Sequence, residues 1–340
     1  LQGVSIGIAM SCGPALATFL YPPARKRAAL SFYTMLFGIG LAIGPALGGW
    51  LVEHFGWPAV FWYRAPIAFA ALSLAFLLPA DIRAAKPVAP FDYTGTFWMV
   101  LMLSGFIATL TLARQAANPA WAALAFLIFA TSTYQFTRQE LRIDEPVIHV
   151  RFYGIPAFAG IQFATVAINF FNFTIFLLAP YLLTERASLV AAGLMLGLYP
   201  LGQIIAGLIG TRLSKAVTSL LLVRVGLVIA ALGVGTSGLA SSQHLTVIGA
   251  TLFTAGFGLG IFQVGNIDLT TTILPPSARG VAGSLVNVAR LLGIVIGAAV
   301  ITWIFDSLAG PDKLEQYRLT FALMGGLQMI CALTLSFTVF

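Results

Sequence analysis

The stretch GIGLAIGPALGG occupies residues 38–49, within a long apolar segment of the chain. Gly40, Gly44 and Gly48 recur every four residues, so they share one helix face and allow a second backbone to approach closely. Pro45 removes a backbone N–H donor and bends the helix. The stretch therefore predicts a helix-packing surface with a kink. Its candidate residues are Gly40, Gly44, Pro45, Gly48 and Gly49.

Apolar segments recur along almost the whole chain. Eleven of them approach the ~20 residues that a helix needs to cross the hydrocarbon core of a bilayer. They lie near residues 1–20, 30–52, 60–79, 92–113, 120–137, 157–183, 190–210, 219–239, 245–265, 281–303 and 319–340. Of 340 residues, 59% are hydrophobic and 9% are charged, and the mean hydropathy is +0.95. The sequence predicts an all-α polytopic membrane protein, because no water-soluble core uses so much apolar sequence.

The basic residues are divided unequally between alternate loops. Twelve fall in one set and five in the other. The larger set is Arg25, Lys26, Arg27, Arg83, Lys86, Arg138, Arg142, Arg151, Arg212, Lys215, Arg224 and Arg279. The smaller set is Arg64, Arg114, Arg186, Lys313 and Arg318. Cytoplasmic loops carry an excess of Lys and Arg, so the larger set predicts the cytoplasmic side. The net charge of +7 therefore indicates orientation and not a nucleic-acid partner.

Two polar, proline-containing segments divide the chain into three predicted parts. Residues 1–80 hold three spans, residues 81–156 a two-helix insert with flanking cytoplasmic segments, and residues 157–340 a six-helix bundle. Parallel six-helix halves are typical of major facilitator transporters, whose substrate site lies between the halves near the midplane. If the first half also has six spans, three of them precede this sequence. We therefore expect a partial major facilitator fold with about eleven transmembrane helices.

Several motifs carry a more specific resemblance. The pattern GxxxGPxxGG at residues 40–49 closely resembles motif C, the fifth-helix signature of antiporters in the major facilitator superfamily. Residues 57–67, WPAVFWYRAPI, are similar to the sixth-helix entry of the drug:proton antiporter-2 family. Residues 145–153, 256–266 and 275–290 resemble its central junction, its tenth-helix end and its eleventh-helix start. That family has fourteen spans, which equals the eleven predicted here plus three. Gly265 departs from the family pattern, which usually has Pro at this position.

The resemblance implies a function. It predicts a multi-pass protein of the cell (inner or plasma) membrane that exports amphipathic or hydrophobic small molecules by alternating access. The implied partners are the small-molecule substrate, the lipid bilayer and protons as the coupling ion, with no nucleic acid. No cofactor or metal is implied.

Polar residues inside the predicted spans are the candidates for the substrate pathway. Gln162, Thr165, Asn169 and Asn172 recur at intervals of three, four and three, so they form one helical stripe. Such a stripe is too costly to face lipid and must face protein or water. It either borders a cavity or hydrogen-bonds neighbouring helices. Gln203 is a further candidate polar anchor.

Asn287 and Arg290 lie about one helical turn apart in the tenth span, with Arg290 near mid-depth. A charge at that depth needs a partner or an aqueous cavity, so Arg290 either binds backbone carbonyls or serves the substrate or a gate. Gln263 and Asn266, in the ninth span, complete the pathway candidates.

Asp268 is the candidate proton-coupling residue. It lies at the cytoplasmic end of the ninth span, and none of the eleven predicted spans shows an unambiguous midplane Asp or Glu. A proton-driven exporter needs a buried acid that binds and releases protons. In the family this chain resembles, the first helix commonly supplies one. Three alternatives stay open: coupling through another segment, coupling through Asp268, or no proton coupling.

Two rival functions are an integral-membrane enzyme, such as a lipid-linked transferase, and a non-transporting sensor derived from a transporter. The enzyme is disfavoured because the three His residues are far apart and no P-loop, zinc spacing or Gly-x-Ser-x-Gly elbow occurs. The polar stripe argues against the sensor. Enzymatic activity is therefore not expected.

Overall fold

The structure is a computed structural model. It describes residues 3, 22, 25–76, 92–115, 119–143, 146, 148–214, 216–240, 244–274, 282–308, 310 and 312–338. The described helices are α1 (Lys26–Phe55), α2 (Ala59–Trp62), α3 (Arg64–Ala75), α4 (Tyr93–Gln115), α5 (Pro119–Glu140), α6 (Pro156–Thr184), α7 (Leu189–Leu213), α8 (Ser219–Ala240), α9 (Leu245–Ile273), α10 (Ala282–Ser307) and α11 (Lys313–Thr338). A 3₁₀ turn, Val150–Gly154, precedes α6. The predicted all-α fold is confirmed.

The helices follow the predicted spans from residue 30 onward. Helices α4 and α6 to α11 are each long and apolar enough to cross a membrane. The remaining predicted spans correspond to α1, to the pair α2 and α3, and to α5. The first predicted span, 1–20, lies outside the described residues except for Gly3.

Two spans differ from their predicted form. The predicted span 60–79 is interrupted at Tyr63, because Pro66 has no N–H to donate to the Trp62 carbonyl. The ninth predicted span ends near residue 265, but α9 continues to Ile273. Its last turns carry threonine hydroxyls that donate back to helix carbonyls, as Thr271 Oγ1 does to the Ile267 carbonyl at 2.9 Å. These internal bonds let a polar sequence extend the helix beyond the apolar segment.

Helices α6 to α11 form a packed bundle. Helix α8 packs against α9 and α11, α9 also packs against α7, and α6 packs against α10. Leu252, Phe262 and Phe321 are among its fully buried side chains. Lipid tails are as apolar as these side chains, so close packing holds such a bundle together more than the hydrophobic effect does.

Helix α1 joins the bundle through α7, whereas the hairpin of α4 and α5 joins it elsewhere. A separate apolar cluster links the hairpin to the start of α6, the end of α9 and the start of α10. Its buried members are Phe136, Ile148, Phe158, Leu274 and Leu285. The cluster lies at the end of the bundle that the charge pattern predicts to be cytoplasmic.

Two carboxylates strengthen this attachment. Glu140 Oε2, on the last residue of α5, accepts a hydrogen bond from the Ile148 backbone N–H at 2.8 Å. Asp92 Oδ1 accepts one from the Gly95 N–H at 2.8 Å and so caps the start of α4. Towards the opposite end, α4 stands off α10 and leaves an apolar groove of about 330 Å³. Among the described residues, the buried cluster and the Glu140 hydrogen bond therefore fasten the hairpin to the bundle at this end.

Candidate functional site

A cleft of about 210 Å³ opens between α6, α9 and α10. The lining residues are Thr165, Asn169, Phe262, Gln263, Asn266, Ile267, Gly283, Val286, Asn287 and Arg290. At about 1.5 Å per residue, Asn169 lies ~20 Å into α6 and Arg290 ~12 Å into α10, well inside the bilayer thickness. Six of the nine sequence candidates for the substrate pathway therefore meet at one opening.

The α6 stripe is split between two environments. Thr165 and Asn169 line the cleft, where Asn169 Nδ2 donates to the Thr165 carbonyl at 2.8 Å. Asn172 is 2% exposed and lies outside the cleft lining. Its Oδ1 accepts a hydrogen bond from the Tyr199 hydroxyl of α7 at 3.3 Å. The two alternatives for the stripe, cavity lining and interhelical hydrogen bonding, each describe part of it.

Gln162 and Gln203 also lie outside the cleft lining. Gln162 is 1% exposed, and neither its side-chain oxygen nor its nitrogen has a hydrogen-bond partner among the described residues. Gln203 forms a side-chain hydrogen bond with Tyr199. The buried Tyr199 thus connects Asn172 of α6 with Gln203 of its own helix.

Helix α9 supplies polar and apolar walls. Gln263 and Asn266 face the cleft, as predicted from their position, beside Phe262 and Ile267. Asn266 Oδ1 accepts a hydrogen bond from Thr270 Oγ1 at 3.3 Å, which fixes the amide. The sequence reasoning missed the apolar wall because a Phe or Ile that faces a cavity looks the same in sequence as one that faces lipid.

Helix α10 places the only charged side chain among the lining residues. Arg290 Nε is buried and has no hydrogen-bond partner among the described residues. Asn287, one turn earlier, also borders the opening. Gly283 brings the first turn of α10 to the cleft, where the positive end of the helix dipole adds to the guanidinium charge.

Asp268 lies near the same end of α9 but does not line the cleft. Its carboxylate is exposed, and Oδ2 accepts a hydrogen bond from Ser219 Oγ at the start of α8. Asp268 therefore lies in the last two turns of α9, with an exposed carboxylate that is hydrogen-bonded to α8.

The glycine stretch of α1 contacts α7 through a face other than the one predicted. A Cβ built at Gly193 would press on the Pro45 carbonyl oxygen and lie 2.7 Å from Ala46 Cα, and one at Gly197 would lie 2.5 Å from the Ala42 oxygen. From the other side, a Cβ at Gly49 would lie 2.7 Å from the Leu189 carbonyl carbon. We call this contact the seam. Side chains larger than hydrogen at these positions would separate the two helices.

The seam does not use the predicted four-residue row. A Cβ at Gly40, Gly44 or Gly48 would have no neighbour within 4 Å among the described residues. At the end of the seam, Glu53 Oε2 accepts a hydrogen bond from the Val190 N–H in the first turn of α7, at 3.3 Å. Pro45 lies within the uninterrupted helix α1 and directly at the seam.

A metal centre is not built from the described residues, which bring no three His, Cys, Asp or Glu side chains together in a suitable group.

Comparison with known proteins fixes the family. The family model described as Major Facilitator Superfamily matches residues 1–165 and 161–340. This chain belongs to the major facilitator superfamily. It is a multi-pass membrane protein, and the curated relatives below are bacterial proteins, for which the corresponding membrane is the plasma membrane.

The curated relatives are transporters. The tetracenomycin C resistance and export protein of Streptomyces glaucescens is 28% identical over 335 residues, which cover 94% of this chain and 61% of that protein. The multidrug efflux pump LfrA of Mycolicibacterium smegmatis is 29% identical, with 83% of this chain and 56% of that protein covered. This chain thus spans little more than half the length of these two relatives. Because these relatives are transporters, the expectation that this chain belongs to a transporter family, and not to a family of enzymes, is confirmed.

Solved structures support the fold. A crystal structure of an auto-inhibited POT family peptide transporter matches 95% of this chain and 73% of that chain, with a TM-score of 0.58 and 16% identity. A bacterial homologue of the human lysosomal transporter Spinster, in an inward-facing and occupied conformation, gives a TM-score of 0.56 at 13% identity, with 96% and 72% of the two chains covered. At these identities the likeness shows the fold alone.

Proposed function

We propose that this chain acts as a secondary active transporter that exports amphipathic or hydrophobic small molecules by alternating access. The observation that carries the proposal is the cleft between α6, α9 and α10. It places four amide side chains beside apolar walls at membrane depth, a combination that suits binding of an apolar molecule with a polar end. The similarity to the tetracenomycin C resistance and export protein and to the multidrug efflux pump LfrA supports export as the direction.

The three-part division of the chain serves this mechanism. Residues 1–80 belong to one half, 157–340 form the other, and 81–156 form the insert attached to the second half. The seam between α1 and α7 brings the two halves together at the predicted outer end. Closing that end while the cleft is open to the cytoplasm limits leak across the membrane.

Proton antiport is the proposed energy source. A proton gradient does work on a carrier only through a group whose protonation differs between conformations. Asp268 is the candidate that the sequence offers, and its exposed position beside Ser219 gives it the surroundings of a helix-end carboxylate. The resemblance to the drug:proton antiporter-2 family supports the coupling ion independently of this residue.

The test uses the full-length parent protein in proteoliposomes loaded with an amphipathic fluorescent dye. We expect dye movement that needs the protein, depends on an imposed pH gradient and stops when a protonophore collapses that gradient. Dye movement that does not depend on the pH gradient would contradict the proposed proton coupling but would still support transport. An absence of movement for chemically diverse dyes, with protein shown to be folded and inserted, would favour the non-transporting sensor.

A further inference from the structure

The charge inside the cleft has no counter-charge among the residues around it. The cleft lining contains Arg290 and no Asp or Glu. An isolated charge in a low-dielectric environment is costly, so it binds an opposite charge or water. Arg290 Nε is buried and has no hydrogen-bond partner among the described residues. The guanidinium therefore retains an unused donor at membrane depth.

No acidic residue among the described residues lies in the cleft lining beside Arg290. The acidic residues of the chain are Glu53, Asp81, Asp92, Glu140, Asp144, Glu145, Glu185, Asp268, Asp306, Asp312 and Glu315. Asp268 is the one closest to the lining in sequence, and its carboxylate bonds Ser219 outside the cleft. Asp306 shares α10 with Arg290 but lies sixteen residues further on, about 24 Å along the helix. None of the described carboxylates is placed to neutralise Arg290.

The remaining lining fits the rest of an acidic amphipath. Asn169, Gln263 and Asn287 carry amides around the opening, and Ile267 and Val286 form an apolar wall. Amide N–H groups donate to a carboxylate or sulfonate as readily as to a neutral carbonyl. At about 210 Å³ the cleft is smaller than the roughly 300–1,000 Å³ of a drug-sized site. These dimensions fit the polar end of a substrate.

We propose that the cleft binds substrates that carry one acidic group on an apolar body, with Arg290 as the counter-charge. This inference rests on the proposed transport function and narrows its substrate class to organic anions. Arg290 binds the acidic group through its guanidinium, and the first turn of α10 adds favourable potential at Gly283. The apolar body lies against Ile267 and Val286.

The competing explanation is a purely structural arginine that fixes α10 to neighbouring backbone. Such a residue affects every ligand equally when it is replaced, because it acts through the shape of the cleft. A counter-charge affects ligands according to their charge. The two explanations therefore separate when ligands share one body and differ only in charge.

The test uses three dansyl probes: dansyl-glycine, which is anionic, dansylamide, which is neutral, and dansyl-cadaverine, which is cationic. Each is titrated by fluorescence against the detergent-purified full-length parent. We expect dansyl-glycine to bind most tightly. Arg290→Gln should weaken its binding about tenfold or more, as loss of a charge-assisted hydrogen bond implies. Binding of dansylamide should change little, and Arg290→Lys should retain most of the anion preference.

Arg224→Gln is the matched control, since it removes a cation from α8 of the same bundle but not from the cleft. It should leave the order of the three probes unchanged. Thermal unfolding and gel filtration check that each variant is folded. Equal losses for all three probes in Arg290→Gln, a preference for dansyl-cadaverine in the unmodified protein, or an anion preference equally lost in Arg224→Gln would each overturn the inference.

Transport of the same probes into inverted vesicles separates this inference from the proposed function. Movement of the neutral and cationic probes without an anion preference would contradict the substrate class and support the transporter. Tight binding of the anion without movement of any probe would contradict the transporter and support the binding site.

Discussion

The seam between α1 and α7 and the cleft between α6, α9 and α10 show opposite ways for membrane helices to meet. At the seam, glycines bring two backbones together, and Gly193 lies against the carbonyl of Pro45. At the cleft, α6, α9 and α10 surround about 210 Å³ of open space with polar side chains. The seam is a contact between backbones, whereas the cleft is lined by amides and a guanidinium.

The largest expected effect comes from adding one methyl group to the seam. Gly193→Ala forces the Cβ onto backbone atoms of Pro45 and Ala46, which cannot rotate away. We expect a loss of about 1–3 kcal/mol in the free energy of unfolding, the usual cost of overpacking. Gly48→Ala, where a Cβ would meet no atom of the described residues within 4 Å, should be neutral or slightly stabilising. Unfolding of the full-length protein in detergent measures both, and equal effects would contradict the assigned seam.

The second test compares two asparagines on α6. Asn172→Ala removes the acceptor of the buried Tyr199 hydroxyl, so we expect a loss of about 1 kcal/mol in stability. Asn169→Ala alters the cleft instead and should lower transport more than it lowers stability. Parallel measurements of unfolding and of dye transport show which of the two properties each variant changes. If both variants changed the same property, the division of the stripe would be wrong.

A smaller effect is expected at the end of the seam. Glu53→Gln removes the negative charge that accepts the Val190 N–H at the start of α7. A charge at a helix N-terminus contributes about 0.3–1 kcal/mol, and the exposure of Glu53 places the loss at the lower end. We expect a slight fall in stability and increased passive leak of dye from proteoliposomes. Glu185→Gln, at the end of α6, is the control and should leave leak unchanged.

The smallest effect is expected for Asp268→Asn. The exposed carboxylate accepts a hydrogen bond from Ser219, and an amide oxygen can do the same. We expect transport to keep its dependence on an imposed pH gradient. Measurements with and without the gradient check this expectation. Loss of the dependence with unchanged folding would show that Asp268 is the coupling acid.

Hydropathy was sufficient to predict the fold but not which helix faces meet. The helices from α4 onward follow apolar segments, since a bilayer demands about 20 apolar residues per span. The four-residue row of Gly40, Gly44 and Gly48 pointed to one face of α1, whereas the contact uses Ala42 and Gly49. The useful signal was in the partner, where Gly193 and Gly197 have the same spacing and do lie at the seam. A repeat identifies a surface that permits close packing, and the partner helix decides whether it is used.

The cleft was predicted in part for a similar reason. Polar residues within a span are easy to recognise in a sequence because lipid does not tolerate them. This criterion identified Asn169, Asn266 and Arg290 as candidates. Asn172 has the same chemistry and spacing but meets Tyr199, a residue of another helix. Sequence periodicity describes one helix at a time, so it does not predict the hydrogen bond between Asn172 and Tyr199 on a different helix.

The one-sided attachment of the α4–α5 hairpin has a mechanical consequence. Helix α4 has 23 residues and is therefore about 35 Å long, with its base bonded through Asp92, Glu140 and Ile148 and its far half separated from α10 by a groove. Because α4 is a rigid helix held near its first residues, it acts as a lever. A slight tilt of the bundle at the attached end of α4 would move the opposite end of α4 by a larger distance. A spectroscopic label near that opposite end would therefore report a movement that is too small to detect at the attached end.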